Sequence, residues 1–216
     1  GYDALSRCAW SGLCSLRTMT RDCVRPFDLN RSGTLFGEGA CALVLERADV
    51  CAGRGGEPLA ELAGWATGNN GFHMTAPPPR ASGSAHVMSQ ALAMAGRAPE
   101  AVDHINAHGT GTRPNDLTEA QAFHDLFGAR AAAIPVTANK GAIGHLLGAA
   151  GGIEAIVSIL SLRHGLIPPT ANFETPDPEA RVDLVTGAPR EVSLACVLSN
   201  SAGFGGCNAA ALFTKV

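Results

Sequence analysis

The order of apolar and polar positions predicts a chain in which β-strands alternate with α-helices. Short apolar runs between turn-forming residues are typical of buried strands, and they occupy 41–45, 59–66, 104–106, 134–137, 192–198 and 209–213. Apolar residues at helical spacing predict two helices between them, one with Met88, Ala91, Leu92 and Ala95 on its apolar face and one with Ala120, Phe123 and Phe127. This alternation indicates a layered α/β domain.

The sequence also indicates where two of the helices begin and which face of a third is buried. Ser84 can cap the first helix, and the second is expected to open near Asn115 or Asp116. A third helix carries a strongly apolar stripe made of Ile153, Ile156, Val157 and Leu160. We expect this stripe to be buried, because soluble proteins avoid a continuous apolar patch of that kind.

Three glycine-rich turns follow or join the predicted strands, at 106–112, 140–145 and 200–206. Glycine lets the backbone approach a ligand closely, and loops carried by a rigid sheet often hold functional groups. In open α/β sheets, ligands bind beyond the carboxyl ends of the strands. We therefore expect the three turns to meet at one end of the sheet and to form the site.

The turns bring together two imidazoles, an ammonium group and a loop of backbone N–H groups. His108, His145 and Lys140 together suit the stabilisation of negative charge developing on a carbonyl oxygen. Taken singly, His108 can be structural, His145 can cap the helix that follows, and Lys140 can be a solvated loop residue. Glu154 interrupts an apolar stripe, so it is either exposed or a buried partner for Lys140.

Composition excludes several other classes of function. The 216 residues are 46% hydrophobic and 16% charged, as in a compact globular protein, and the net charge of -3 gives no basis for nucleic-acid binding. No apolar run is long enough to cross a bilayer. The seven cysteines lack C-x-x-C spacing, which favours reduced thiols in the cytoplasm over disulfides or a metal site. The first residue is Gly1 rather than Met, so we expect the chain to be the interior of a longer reading frame.

Several motifs in a fixed order resemble the C-terminal half of the β-ketoacyl synthases, the condensing enzymes of the thiolase superfamily. The motifs cover nearly the whole chain: 25–28 with 37–40, 106–112 with 115–116 and Glu119, Lys140 with 144–151, and 200–201 with 203–206. The resemblance implies a thiolase-like fold, in which this chain (1–216) is the C-terminal half of a duplicated βαβαβ core with α/β/α layers. It also implies a role in fatty-acid or polyketide synthesis, in the condensation of an acyl primer with a malonyl carrier protein.

The resemblance assigns roles to individual residues. His108 and His145 would bind a malonyl thioester carbonyl and stabilise the enolate left by decarboxylation, while Lys140 would support them. Glu154 would be the charge partner of the lysine, and Asp116 and Glu119 would belong to the surrounding polar network. Thr110 and Thr112 would contact a phosphopantetheine arm. Phe204 would act as a gate and contribute its backbone N–H to an oxyanion hole, and Gly205 and Gly206 would form the substrate-binding turn. No metal and no bound cofactor are implied, since the substrates travel on an acyl carrier protein.

Two positions depart from the family pattern, which usually has Phe where Ala202 stands and Thr where Cys207 stands. Ala202 is expected to widen the acyl pocket or loosen the turn beside Phe204. Cys207 follows two glycines, and so a nucleophilic role can be considered for it. The family pattern favours a structural role instead.

The resemblance places the nucleophilic cysteine in the N-terminal half of the synthase, which this chain does not contain. We expect a separate polypeptide to supply that half, a carrier protein to deliver the substrate, and the assembled unit to dimerise. Residues 1–216 alone are expected to aggregate. The alternatives are a non-catalytic partner of the chain-length-setting type and a thiolase-like acyltransferase that uses coenzyme A esters.

Overall fold

The structure, a computed structural model, describes residues 1–78 and 82–216. Its strands are β1 (Tyr2–Asp3), β2 (Gly39–Ala40), β3 (Glu61–Asn69), β4 (His104–Asn106), β5 (Pro135–Thr137), β6 (Leu166–Ile167), β7 (Asp183–Leu184), β8 (Arg190–Glu191), β9 (Cys196–Gly203) and β10 (Cys207–Thr214). Its helices are α1 (Arg7–Ser15), α2 (Ala48–Gly53), α3 (Ser82–Met94), α4 (Arg113–Phe127), α5 (Lys140–Ile143) and α6 (Ala150–His164).

Six of the strands form one mixed sheet in the order β3-β10-β9-β4-β5-β7. β4 runs parallel to both β5 and β9, whereas β10 is antiparallel to β9 and β3. β1 pairs with β2, and β6 pairs with β8, as two small two-stranded sheets. Because β4, β5 and β9 share one direction, their carboxyl ends meet at the same edge of the sheet, and the three glycine-rich turns start there.

Side chains that alternate along the central strands separate the two faces of the sheet. Leu198 and Leu212 belong to the core that α3 and α4 cover, through residues such as Phe123. Their neighbours Val197 and Phe213 belong to a second core on the side of α6. The layered α/β/α architecture predicted from the sequence is therefore present.

A glycine sets how closely α3 can pack on the sheet. A Cβ atom placed on Gly64 of β3 would lie 2.1 Å from the carbonyl oxygen of Ala91 in α3. No side chain can occupy that space, so the helix backbone lies directly on the strand. Met88, Ala91 and Leu92 are buried there, as the helical pattern predicts.

The predicted strand at 41–45 is absent. The strand in this region is β2, which ends at Ala40. Cys41 still bonds to Gly1 through both of its backbone groups, but residues 42–45 make no backbone pairing with any of the described residues. Val44 is 96% exposed, and Leu43 and Leu45 are exposed as well. The apolar pattern is real, but a strand needs a neighbouring strand to satisfy its backbone, and the described residues offer none here.

The apolar stripe on α6, which the sequence predicts to be buried, is only partly covered within residues 1–216. Leu160 is 43% exposed, and the other three stripe residues are only half-buried. The side of α6 that faces the sheet instead buries Glu154, Ser158 and Ser161 beside Ala155 and Leu162. Polar residues of α6 thus face inwards, and much of its apolar side faces outwards.

The ends of several helices and strands differ from those predicted from the sequence. Ser84 does not cap α3 but lies inside it, where its hydroxyl donates to Asn208 Oδ1 at 2.9 Å. The last predicted strand pair is shifted, because β9 begins at Cys196 and continues through Gly203, so that Asn200 is part of the strand. The turn between β9 and β10 therefore contains only Phe204–Gly206.

Candidate active site

A cavity of about 740 Å³ opens where the three glycine-rich turns meet. Each turn contributes to its wall, and so do α1 and the loop that follows β3. The candidate residues that line it are His108, Thr110, Thr112, Glu119, His145, Phe204 and Gly206, together with Asn200, Ala202 and Cys207. Lys140, Asp116 and Glu154 lie behind this wall, fully buried.

Lys140 fixes the protonation of His108. The Nζ atom of Lys140 lies 3.2 Å from His108 Nδ1 and also donates to the His108 carbonyl oxygen. An ammonium group can only donate, so Nδ1 of His108 must be the acceptor. The neutral imidazole then carries its proton on Nε2, as an N–H donor.

His145 reaches the same tautomer by a different contact. The backbone N–H of Leu147 donates to His145 Nδ1 at 3.1 Å, which leaves the proton of the neutral ring on Nε2. The ring centroids of His108 and His145 are 5.3 Å apart, and the two planes are nearly perpendicular, at 83°. The pair therefore offers two N–H donors within one small volume of the cavity.

The surroundings keep both imidazoles uncharged. Burial, then the charge of Lys140, holds the pKa of His145 at about 3, below its usual 6.5. For His108, burial and the same lysine, with a smaller effect from His145, lower the pKa well below its ordinary value. At neutral pH both rings are consequently hydrogen-bond donors rather than general acids.

A buried ion pair holds the lysine in place. Lys140 is 1% exposed, and its Nζ atom contacts the carboxylate of Glu154, which α6 carries into the core. Burial raises the pKa of Glu154, and the lysine opposes that rise. Of the two interpretations of Glu154, the buried partner is the one the structure contains. The side chain of Asn106 donates to the Glu154 carbonyl oxygen at 3.1 Å and so ties α6 to β4.

Glu119 organises the turn that carries His108. Its two carboxylate oxygens accept from the backbone N–H groups of His108, at 2.7 Å, and Gly109, at 2.9 Å. Asn200 Nδ2 donates to the same carboxylate at 2.7 Å. Burial raises the pKa of Glu119, whereas these three donors favour its ionised form.

Asp116 holds the far end of the same turn. It accepts from the backbone N–H groups of Gly111, at 3.3 Å, and Phe27, at 2.8 Å. Burial raises its pKa to about 6, although the guanidinium of Arg31, 3.8 Å away, acts in the opposite direction. Arg31 is itself buried and bonded to Asp177. The polar network therefore extends to the loop that precedes β2.

The two threonines of this turn bond to each other. Thr110 Oγ1 and Thr112 Oγ1 lie 2.9 Å apart and line the cavity. Gly111 between them has a φ of +75°, and a Cβ atom there would lie 2.9 Å from Val24. Glycine at this position therefore presents both hydroxyls to the same side.

The turn between β9 and β10 is the most open part of the wall. Phe204 is 51% exposed, and Gly205 and Gly206 adopt φ angles of +78° and +77°. The Asn69 side chain donates to the Gly205 carbonyl oxygen at 2.7 Å, and the Gly205 N–H donates to the Met74 carbonyl oxygen at 2.6 Å. The loop after β3 thus supports the turn from outside.

Similarity to known proteins identifies the family of this chain. A model of the β-ketoacyl synthase C-terminal domain matches residues 59–174, which is more than half of the chain. The chain belongs to the β-ketoacyl synthase family. The match spans β4, β5 and α6, and with them His108, Lys140, His145 and Glu154.

Individual ketosynthases match almost the whole chain. The ketoacyl synthase alpha subunit of the tetracenomycin polyketide synthase from Streptomyces glaucescens is 44% identical over 88% of this chain and 45% of its own length. A 3-oxoacyl-[acyl-carrier-protein] synthase 2 of Mycobacterium tuberculosis is 42% identical over 88% of the chain and 45% of its own length. The chain therefore spans about half the length of these relatives.

Solved ketosynthase structures show the same fold. The ishigamide ketosynthase/chain length factor superposes with a TM-score of 0.95 at 39% identity, over 100% of this chain and 53% of that one. The chain thus has the thiolase-like α/β fold of ketosynthases, as predicted. Within the described residues no helix is long and apolar enough to cross a membrane, and no cluster of three or more potential ligands could hold a metal ion.

Two members of this ketosynthase site were missed as individuals by sequence reasoning. Asn200 was noted only as part of a glycine-rich turn, yet it lies in β9 and bonds Glu119. Arg31 received no role, although it is buried against Asp116. Neither has a local sequence signal, because both act through residues more than 80 positions away. Their roles follow only from the sheet order and the packing of the loop at 25–33.

Proposed function

We propose that this chain is the C-terminal part of a β-ketoacyl-acyl-carrier-protein synthase that condenses an acyl primer with a malonyl thioester. The observation that carries the proposal is the pair of neutral imidazoles, each with Nδ1 occupied as an acceptor and Nε2–H left as a donor. They line a cavity large enough for a thioester arm. The names of the relatives, which include acyl carrier proteins as substrates, support the same class of reaction.

The chemistry needs donors of this kind. When a malonyl thioester loses carbon dioxide, the bond between the α-carbon and the carboxylate breaks and its electron pair moves to the thioester as an enolate. Most of the new charge is on the oxygen, so N–H donors aimed there stabilise the transition state more than the starting carbonyl. The enolate carbon then bonds to the acyl carbonyl carbon, and the cysteine that carried the primer leaves as a thiolate.

The other candidate residues support that step in our proposal. Burial, together with the charge of Lys140, keeps both imidazoles neutral. Lys140 also orients His108, and Glu154 balances the charge of the lysine. The hydroxyls of Thr110 and Thr112 bond the amides of a phosphopantetheine arm, and the Phe204 turn gates the cavity and lends its backbone N–H to the oxyanion hole. The nucleophilic cysteine comes from a segment outside residues 1–216, on the same or another polypeptide.

A non-catalytic partner of the chain-length-setting type is the second candidate, since one matching structure includes a chain length factor. The bond between Lys140 and His108, with the ring of His145 centred 5.3 Å from that of His108, favours the enzyme. A synthase that uses coenzyme A esters without decarboxylation is less well supported. That reaction needs a base to remove a proton from the α-carbon, whereas Nδ1 of both imidazoles already accepts a hydrogen bond and Nε2–H is a donor.

The test is release of labelled carbon dioxide from malonyl carrier protein by the complete synthase that contains this chain. His108→Ala and His145→Ala should each reduce the rate by about 100- to 1,000-fold, because each removes one donor to the enolate. Lys140→Ala should also slow decarboxylation, while transfer of the primer to the cysteine should persist. His164→Ala, an exposed histidine at the end of α6, is the matched control. Wild-type rates in both active-site variants would favour the non-catalytic partner.

A further inference from the structure

The wall of the cavity beside Thr110 and Thr112 is rich in hydroxyl groups and ends at an arginine. Thr18, Ser32, Thr34 and Arg17 also line the cavity. Ser32 and Arg17 are exposed, whereas His108 and Thr110 are buried, so the arginine lies at the outer end. The lining also includes the apolar residues Ala76, Pro77, Pro78 and Phe204. Such a path fits a chain of amides with an anion at its outer end.

Backbone contacts link the arginine to the threonine turn. The N–H of Gly33 donates to the Gly111 carbonyl oxygen at 3.0 Å, and the N–H of Thr34 donates to the Thr18 carbonyl oxygen at 2.9 Å. The segment after α1 is therefore joined, through Gly33 and Thr34, to the turn that presents Thr110 and Thr112. A Cβ atom on Gly33 would lie 2.5 Å from the Thr18 oxygen, so this spacing is as close as a backbone allows.

The charge of Arg17 is uncompensated. Salt bridges within residues 1–78 and 82–216 engage five other arginines and Lys140, but not Arg17. The one carboxylate among the described side chains that line the cavity is Glu119, which is buried and already bonded to three N–H donors. A ligand anion entering the cavity therefore meets an exposed guanidinium and no competing exposed carboxylate.

Arg17 is also held in an unusual backbone conformation. Its φ is +54°, in the left-handed region where glycine is normally found, and it follows the end of α1. A non-glycine residue pays about 1–2 kcal/mol for that conformation. Strain of this kind is concentrated at ligand sites, where the side chain is the reason to retain it.

We infer that Arg17 binds the phosphate of the phosphopantetheine arm, with the hydroxyls of Thr18 and Ser32 beside it. This inference rests on the proposed function. The reacting carboxylate of the malonyl group belongs near His108 and His145, at the buried end of the cavity, whereas the phosphate is at the other end of the arm. A guanidinium matches phosphate oxygens in geometry as well as in charge.

The test compares two small substrates of the complete synthase, malonyl-phosphopantetheine and malonyl-pantetheine, which differ only in the phosphate. Arg17→Gly should raise KM for the first by about tenfold and change KM for the second by less than twofold. Glycine suits a φ of +54°, so this variant removes the charge and relieves the backbone strain. Arg17→Lys should recover part of the affinity. Arg21→Met, which removes an exposed arginine outside the cavity lining, is the control.

Three results would overturn the inference. These are an unchanged KM for both substrates in Arg17→Gly, an equal rise of KM for both substrates, and an equally large rise of KM in the control variant. A synthase that decarboxylates neither substrate would contradict the proposed function instead. In that case calorimetric binding of phosphopantetheine and of pantetheine to wild type and Arg17→Gly still decides the role of Arg17, because it needs no turnover.

Discussion

The helices on the two faces of the central sheet bury their apolar residues to different degrees within this chain. On one face, α3 and α4 bury their apolar residues, and Phe123 is fully enclosed. On the other face, α6 buries Glu154 and two serines and leaves Leu160 exposed. The first face is an ordinary hydrophobic core, whereas the second places a charged group behind the candidate site and leaves apolar surface uncovered within residues 1–216.

The enclosed face should respond most strongly to truncation. Phe123→Ala should lower the free energy of unfolding by about 3–5 kcal/mol, because it leaves a cavity between α4 and the sheet. Urea unfolding of the complete synthase measures this change. A loss below about 1 kcal/mol would show that this face is not the stable core that its burial indicates.

The other face of the sheet predicts sensitivity to acid, because His104 pairs with Val197 on the side of α6. Burial lowers the pKa of His104 to about 4, from 6.5 in an unfolded chain. Between pH 6.5 and 4 the unfolded state therefore takes up a proton that the folded state does not. The stability that His104 contributes above pH 6.5 is lost as the pH falls to 4, by about 3 kcal/mol.

Unfolding measured at several pH values checks the contribution of His104. His104→Asn keeps an N–H donor for the Pro135 carbonyl oxygen, which His104 Nδ1 contacts at 2.9 Å, but it cannot titrate. Its stability should fall less steeply than that of wild type between pH 6.5 and 4, whereas the exposed control His164→Asn should follow wild type. Parallel curves for His104→Asn and wild type would remove His104 as the cause.

The open face gives a sharper test of the comparison. If the rest of the synthase covers α6, Leu160→Ala in the complete protein should cost about 2 kcal/mol or more, as a buried leucine does. If α6 stays exposed, the cost should be near 0.5 kcal/mol. Thermal or urea unfolding distinguishes the two, with exposed Leu166→Ala as the matched control for a leucine outside α6. The smaller value would contradict our view of this face as an interface.

The smallest expected effect concerns the turn at the cavity mouth. Ala202 lines the cavity two residues before Phe204. Ala202→Phe should narrow the range of acyl primers, slowing the longest by about tenfold, without abolishing decarboxylation of the malonyl substrate. Condensation assays with primers of increasing length measure this, and the shortest primer serves as the internal control. An unchanged range of primers would mean that Ala202 does not shape the pocket.

The layered fold and the meeting of the three turns could be predicted because apolar strand runs, helical periodicity and glycine-rich turns have local signals. Apolar runs predicted burial at 41–45 and along α6, but a sequence states only that a residue is apolar and not which neighbour covers it. The tautomers of His108 and His145 depend on single contacts to Lys140 and Leu147, which exist only after folding. The role of Arg31 could not be predicted for the same reason.

The contacts of the Glu119 carboxylate link formation of the site to the folding of distant parts of the chain. It joins a turn 11 residues earlier in the chain to a strand 81 residues later. Closing a loop of that length costs conformational entropy before any contact is gained. The three bonds to this carboxylate therefore exist together only when β9 lies beside β4. The active-site turn is thus linked to a strand pairing that is distant in the sequence.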